Sequence, residues 1–127
     1  MERRRIESAG APKAIGPYSQ AIRWGDLVFC SGQIPLDPAT GQIAGADAAS
    51  QARRCIANLR AVLEEAGSSL ASCLQLNLYL ARMGDFEAVN QVWNESFPDP
   101  APARITVEVG ALPRGALVEV SAVAAVR

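Results

Sequence analysis

In this 127-residue sequence the segment Phe97–Gly115, FPDPAPARITVEVGALPRG, sets Arg104 directly behind a proline-rich crossing, at the head of an otherwise apolar strand. A guanidinium is a rigid, permanently charged, two-pronged donor matched to carboxylates. Its position therefore asks for a partner, either a carboxylate of the protein or one that comes and goes. Strand alternation sets Arg104, Thr106 and Glu108 on one face and Ile105, Val107 and Val109 on the other. Glu119 and Ser121 stand out of phase with Val118 and Val120 in the next strand. Consecutive strands joined by a short loop tend to pair, which predicts Arg104 and Glu119 near one sheet. They would be a structural ion pair or solvated edge residues on one reading, a ligand clamp on the other.

The remaining candidates are individually weak. Tyr18, in IGPYSQA, follows a Gly-Pro turn, where a tyrosine packs its ring and leaves its hydroxyl wet. Asn90 lies beside the apolar stripe of a helix and reads first as a boundary residue bonding a nearby loop. Cys55 reads as core, and Cys30 as core or as the wall of a site beside Ser31-Gly32.

Composition narrows the chemistry further. There is no histidine, which removes the commonest general base, the Ser-His and Cys-His nucleophile pairs and the commonest metal ligand. G-x-S-x-G, G-x-x-x-x-G-K-[ST] and G-x-G-x-x-G are absent as well. A net charge of −1 and a pI near 5.4 give no reason to expect nucleic acid. The one basic cluster, Arg3–Arg5, reads as a frayed terminus. No apolar run approaches the ~20 residues that span a bilayer, and the start of the chain lacks the apolar region of a secretory signal. Three widely spaced cysteines fit a reducing cytosol rather than a disulfide frame or zinc site. The expectation is a cytoplasmic protein without membrane or nucleic-acid partners.

The elements that must position these residues follow from periodicity. Residues 1–127 read as one domain, with half the residues apolar. SQAIRWGDLVFCSG reads as a hairpin turning at Gly25-Asp26. Ala52, Cys55, Ile56, Leu59, Val62, Leu63 and Ala66 recur at helical spacing and predict a helix of roughly five turns ended by Gly67. SCLQLNLYLARM predicts a strand. Asp85 reads as the N-cap of a second helix with Phe86, Val89, Trp93 and Phe97 on its core stripe. Pro98, Pro100 and Pro102 stop that helix, and strands over Arg104–Val109 and Leu117–Val126 close the chain. The order ββ-α-β-α-ββ is an α+β, mixed-sheet pattern. Two helices cover only one face of a four- or five-stranded sheet, so the other face calls for self-association.

Taken together, IGPYSQA, SGQIPLDPATGQI, FEAVNQVW and PARITVEVGALPRGALVEVSAVA resemble, in order and spacing, the reactive-intermediate deaminases, the RidA or YjgF family. The resemblance runs from about Ala11 to Val126. It implies a fold like the trimeric chorismate mutase of bacilli, with two helices on one sheet face, three open faces packed together and sites between subunits. It implies hydrolysis of enamines and imines, such as 2-aminoacrylate and 2-iminobutyrate, to 2-keto acids and ammonia, with no cofactor and no metal. By the same resemblance Arg104 holds the substrate carboxylate, Glu119 orients water, and Tyr18, Gly32 and Asn90 line the cleft. Where many members carry a cysteine two residues after the arginine, this chain has Thr106, which keeps a small polar atom on the Arg104 face. A non-catalytic metabolite-binding or chaperone-like protein using the same cleft is the alternative.

Overall fold

A computed structural model describes residues 1–126. Six strands, β1 (Arg4–Ile6), β2 (Ala21–Trp24), β3 (Leu27–Gln33), β4 (Cys73–Leu80), β5 (Ala103–Glu108) and β6 (Val118–Ala125), form one sheet in the order β1-β2-β3-β6-β4-β5. Two helices, α1 (Ala48–Glu65) and α2 (Phe86–Ser96), complete an α+β domain. The β4–β5 pairing is parallel and the others are antiparallel, so the sheet is mixed, as expected.

The final strand does not pair with the strand before it. β6 lies between β3 and β4, antiparallel to both, and β5 is an edge strand beside β4. The reason is apolar content. Val118, Val120, Ala122 and Ala124 are all buried, which suits a central strand, whereas Ile105 and Val107 of β5 remain exposed. The amino end also departs from expectation. Arg4–Ile6 pairs with β2 instead of fraying. Ile6 is buried, and the buried Gln20 fastens the chain that follows: its Oε1 accepts from Ser8 N at 2.6 Å and its Nε2 donates to Pro12 O at 2.8 Å.

The helical periodicity of α1 becomes its buried face, with Ala52, Cys55, Leu59, Val62 and Leu63 against the sheet. Asp47 caps its start through a capping box with Ser50, whose N donates to Asp47 Oδ1 at 2.8 Å. Gly67, at φ +84°, ends it: Ser68 N bonds Leu63 O and Gly67 N bonds Glu64 O, a Schellman closure that needs a left-handed residue. Asp85 stands at the N-cap position of α2, but its carboxylate makes no cap bond. The backbone there is already helical, and Oδ2 faces Arg82 Nε at 3.5 Å instead.

Two amides buried on α1 tie the site-forming loops down. Asn58, fully buried, donates from Nδ2 to Leu36 O (2.9 Å) and Ile34 O (3.2 Å). Gln51 donates to Gly45 O and accepts from Leu117 N at 2.8 Å, joining the loop, the helix and the entrance to β6. Replacing Asn58 with Leu strands two carbonyls that water reaches poorly. Asn58→Leu is predicted to lower unfolding free energy by about 2–4 kcal/mol in urea titrations, an outcome that a solvent-facing role for Asn58 does not produce.

Candidate functional site

The residues expected to act together form two clusters on opposite faces of the sheet. Leu76 and Leu78 of β4, buried toward the helices, stand beside Arg104 and Thr106 of β5. Arg104 and Thr106 therefore share the helix-covered face. Glu119 stands beside Tyr79, between the buried Val118 and Val120, and so projects to the open face. The structural ion pair is excluded: within one chain, Arg104 and Glu119 do not meet. Sheet order and parity together overturn it, because β4 and β6 carry the alternation through to the edge.

In the first cluster, Arg104 Nη1 donates to Asn90 Oδ1 of α2 at 2.9 Å. Its Cζ lies 5.6 Å from the Phe86 ring centroid and 5.5 Å from that of Trp93, so two aromatic faces cradle the cation. Trp93 and Phe97 pack ring to ring behind it at 5.1 Å. The two ion pairs among the described residues, Arg5–Glu7 and Arg82–Asp85, do not involve Arg104. Its guanidinium is held in place by neutral groups and keeps most of its donors without a partner among the described residues. Asn90 is thus not a loop-binding boundary residue but the arginine's positioning partner.

The second cluster is built by a bulge. Between Cys30 and Gln33, β3 carries one residue more than β6 opposite it, and the extra length falls at Ser31-Gly32. Ser31 fastens the bulge to the preceding segment, with Oγ donating to Ser19 O at 2.6 Å and N to Gln20 O at 2.9 Å. Gly32 then lies so close to Glu119 that a Cβ there would overlap the carboxylate oxygen Oε2. Tyr18 is half exposed, its hydroxyl accepting from Ile15 N at 3.2 Å. Tyr18, Gly32 and Glu119 line one cleft of about 480 Å³ together with Ile15, Ile34 and Arg114. A larger concavity of about 670 Å³ shares Tyr18 and contains none of the other expected residues.

Burial raises the Glu119 carboxyl above its ordinary range through lost hydration of its charged form. The three cysteines are buried and free. Burial pushes Cys30 up to about 12, helped by nearby Cys73, which is itself raised to about 11 by burial. Cys30 is core and not a cleft wall. Sequence reasoning missed the cradle role of Phe86 and Trp93, which read only as core stripe, and it missed Arg114, whose turn is remote in sequence from Tyr18 and Gly32.

Comparison with known proteins is consistent across nearly the whole chain. The family model described as Endoribonuclease L-PSP matches residues 8–126. A RutC family protein of Pyrococcus abyssi is 46% identical over 98% of this chain and 98% of its own length. A 2-iminobutanoate/2-iminopropanoate deaminase of Capra hircus is 39% identical over 98% of this chain and 90% of its own. The crystal structure of E. coli TdcF with bound serine matches at a TM-score of 0.90 and 35% identity, covering 98% of this chain and 99% of that one.

The raised Glu119 carboxyl has a definite sign in stability. A native value above the unfolded one favours the neutral acid in the fold, so this group costs nothing below the ordinary glutamate value of about 4.3 and destabilises as pH rises through the native value. Glu119→Gln should therefore melt above the wild type at pH 7. The gap should close below about pH 4 in thermal scans across pH. A gap that is constant across pH contradicts the burial account.

Proposed function

The chain belongs to the endoribonuclease L-PSP family, the RidA or YjgF family, and on that premise we propose that it is a cofactor-free enamine/imine deaminase acting as a homotrimer. The observation that carries the reading is Arg104: a guanidinium fixed by Asn90 and two aromatic rings, with no carboxylate of the described residues within ion-pair distance. Such a donor suits a carboxylate that arrives with a ligand. The relative in Capra hircus named 2-iminobutanoate/2-iminopropanoate deaminase supports the substrate class, small 2-imino acids.

The two half-sites stand on opposite faces, so one chain does not complete the cleft. The open face carries exposed apolar side chains, among them Trp24 (42% exposed), Phe29 (46%) and Ile105 (51%). Covering them with other copies of the chain removes this surface from water and brings Arg104 of one copy toward Tyr18, Gly32 and Glu119 of the next. The ribonuclease activity in the family's name finds no support in a net charge of −1. No helix among the described residues is long and apolar enough to cross a membrane. Three buried free thiols suit a cytoplasmic setting.

The chemistry asks little of the protein. Arg104 holds the carboxylate of 2-aminoacrylate or 2-iminobutyrate; the enamine takes a proton from solvent at C3, and the imine one at nitrogen, to give the iminium. Water then adds to C2. Glu119 accepts a proton from that water and returns it to nitrogen, and the carbinolamine gives its hydroxyl proton to solvent as it collapses to the 2-oxo acid and ammonia. Burial of Glu119 raises its proton affinity, which favours its taking the proton from water. Tyr18, Thr106 and the Gly32 backbone shape the cleft. Positioning and one relay supply several kcal/mol, which is enough for a substrate that already decays in water.

Two outcomes test this. Imines made in place by an amino-acid oxidase and trapped with semicarbazide should disappear faster with the wild type. Arg104→Lys, which keeps charge but loses the fork, should cut that rate by roughly 100-fold. If the wild type leaves trapping unchanged, the non-catalytic binding reading takes over. The shared cleft makes a second demand. Arg104→Ala and Glu119→Gln, each inactive alone, should regain activity when refolded together in equal amounts. Random mixing leaves about a quarter of sites with both groups intact. No recovery on mixing would place both residues in one subunit's site.

A further inference from the structure

Arg114 lies in the same cleft as Glu119, and the reaction above makes no use of it. Its backbone is left-handed, at φ 58°, and the next residue, Gly115, is left-handed too, at φ 69°. Glycine would make both turns without strain, yet position 114 keeps a side chain with a Cβ in a conformation that disfavours one. The side chain is then held. Its Nη1 donates to Gly41 O at 2.7 Å, anchoring the guanidinium to the loop that leads toward α1. Gly41 is itself fixed, its N–H bonding Asp37 O at 2.8 Å.

That single bond leaves the Nε–Nη2 edge of Arg114, one of the two edges that match a carboxylate, without a partner among the described residues. The cleft wall beside it is apolar: Ile15, Ile34 and Pro113. Before a neighbouring copy covers it, this part of the cleft measures about 480 Å³. An apolar wall with a preorganised cation beside it suits a short methylene chain ending in an anion.

We propose that Arg114 determines specificity by binding a second, side-chain carboxylate of the substrate, so that the cleft prefers 2-imino acids with a distal carboxylate over those ending in methyl. This rests on the cleft assignment made under the proposed function. It adds no reaction step. It names the class of substrate, imines of acidic amino acids, and by that chemistry the supplier is an oxidase or dehydrogenase that removes two electrons from the Cα–N bond of such an amino acid.

The test compares two product-type probes, 2-oxoglutarate and 2-oxobutyrate, by titration calorimetry, and the imines of glutamate and 2-aminobutyrate by trapping. Three proteins are used: wild type, Arg114→Gln and Arg114→Gly. Glutamine keeps a donor for Gly41 O without the charge, and glycine relieves the backbone strain, so at least one variant folds as the wild type does. The wild type should favour 2-oxoglutarate, and the affinity ratio should fall roughly tenfold in both variants, the worth of one charge-assisted hydrogen-bond pair. A ratio near one in the wild type overturns the assignment. So does a ratio that survives in both variants, and so does an equal weakening of both probes, which marks a turn with a purely structural role. An Arg114-dependent ratio without imine hydrolysis leaves the assignment standing and removes the deaminase reading. Hydrolysis with an unchanged ratio does the reverse.

Discussion

The two-residue period of β6 decides most of this molecule. Because the strand lies between β3 and β4, its alternation is locked to both neighbours, and a slip of one residue would turn every side chain to the wrong face. Val118, Val120, Ala122 and Ala124 go under the helices, where Cys55 Sγ of α1 reaches Val118 O at 3.5 Å. Glu119, Ser121 and Val123 are thereby committed to the open face. The same parity crosses β4 to β5 and commits Arg104 to the opposite side. The separation of the two charges is a consequence of how the core is filled.

Glu119 is tuned by geometry in its own neighbourhood. Placing a carboxylate against the backbone of a bulge needs a residue without a Cβ, and Gly32 is the residue that meets it. The bulge in turn depends on Ser31 and on Gln20, whose side chain anchors the amino-terminal segment through backbone atoms of Ser8, Ala11 and Pro12. Lost hydration then raises the carboxyl's proton affinity. On the proposed reading, a chain without histidine obtains in this way a carboxyl with raised proton affinity to act as its proton relay. The arginine is treated in the opposite manner: it is stacked and hydrogen-bonded by neutral groups, so its charge remains available.

Much of this was legible because the signals were local. The Gly25-Asp26 hairpin, the stripe of α1, its stop at Gly67 and the alternation around Arg104 each depend on neighbours within a few residues, and each appears where expected. What escaped notice depends on distant parts of the chain. The insertion of β6 between β3 and β4 is a choice among pairings that sequence proximity ranks wrongly. Asn58 and Gln51 look like solvent-facing helix residues until the loops that bury them are in place. The left-handed backbone of Arg114 carries no signal in composition, since the glycine beside it suffices to explain a turn.

Opposite faces also bear on why an open sheet face is kept. A site assembled inside one chain leaves the exposed Trp24, Phe29 and Ile105 as an aggregation hazard with no function. On the proposed reading the same surface is what aligns one copy's arginine with the next copy's glutamate, so burial energy and catalytic geometry come from one contact. Each half arrives preformed: Arg104 by its rings and Asn90, Glu119 by Gly32 and the bulge. Association then has little side-chain freedom left to remove, and the ordering cost of making the site falls mostly on folding, where the core meets it. On that reading, a cleft divided in this way can change its substrate through the loop carrying Arg114 without disturbing the carboxylate clamp, because the two lie on different faces of the chain.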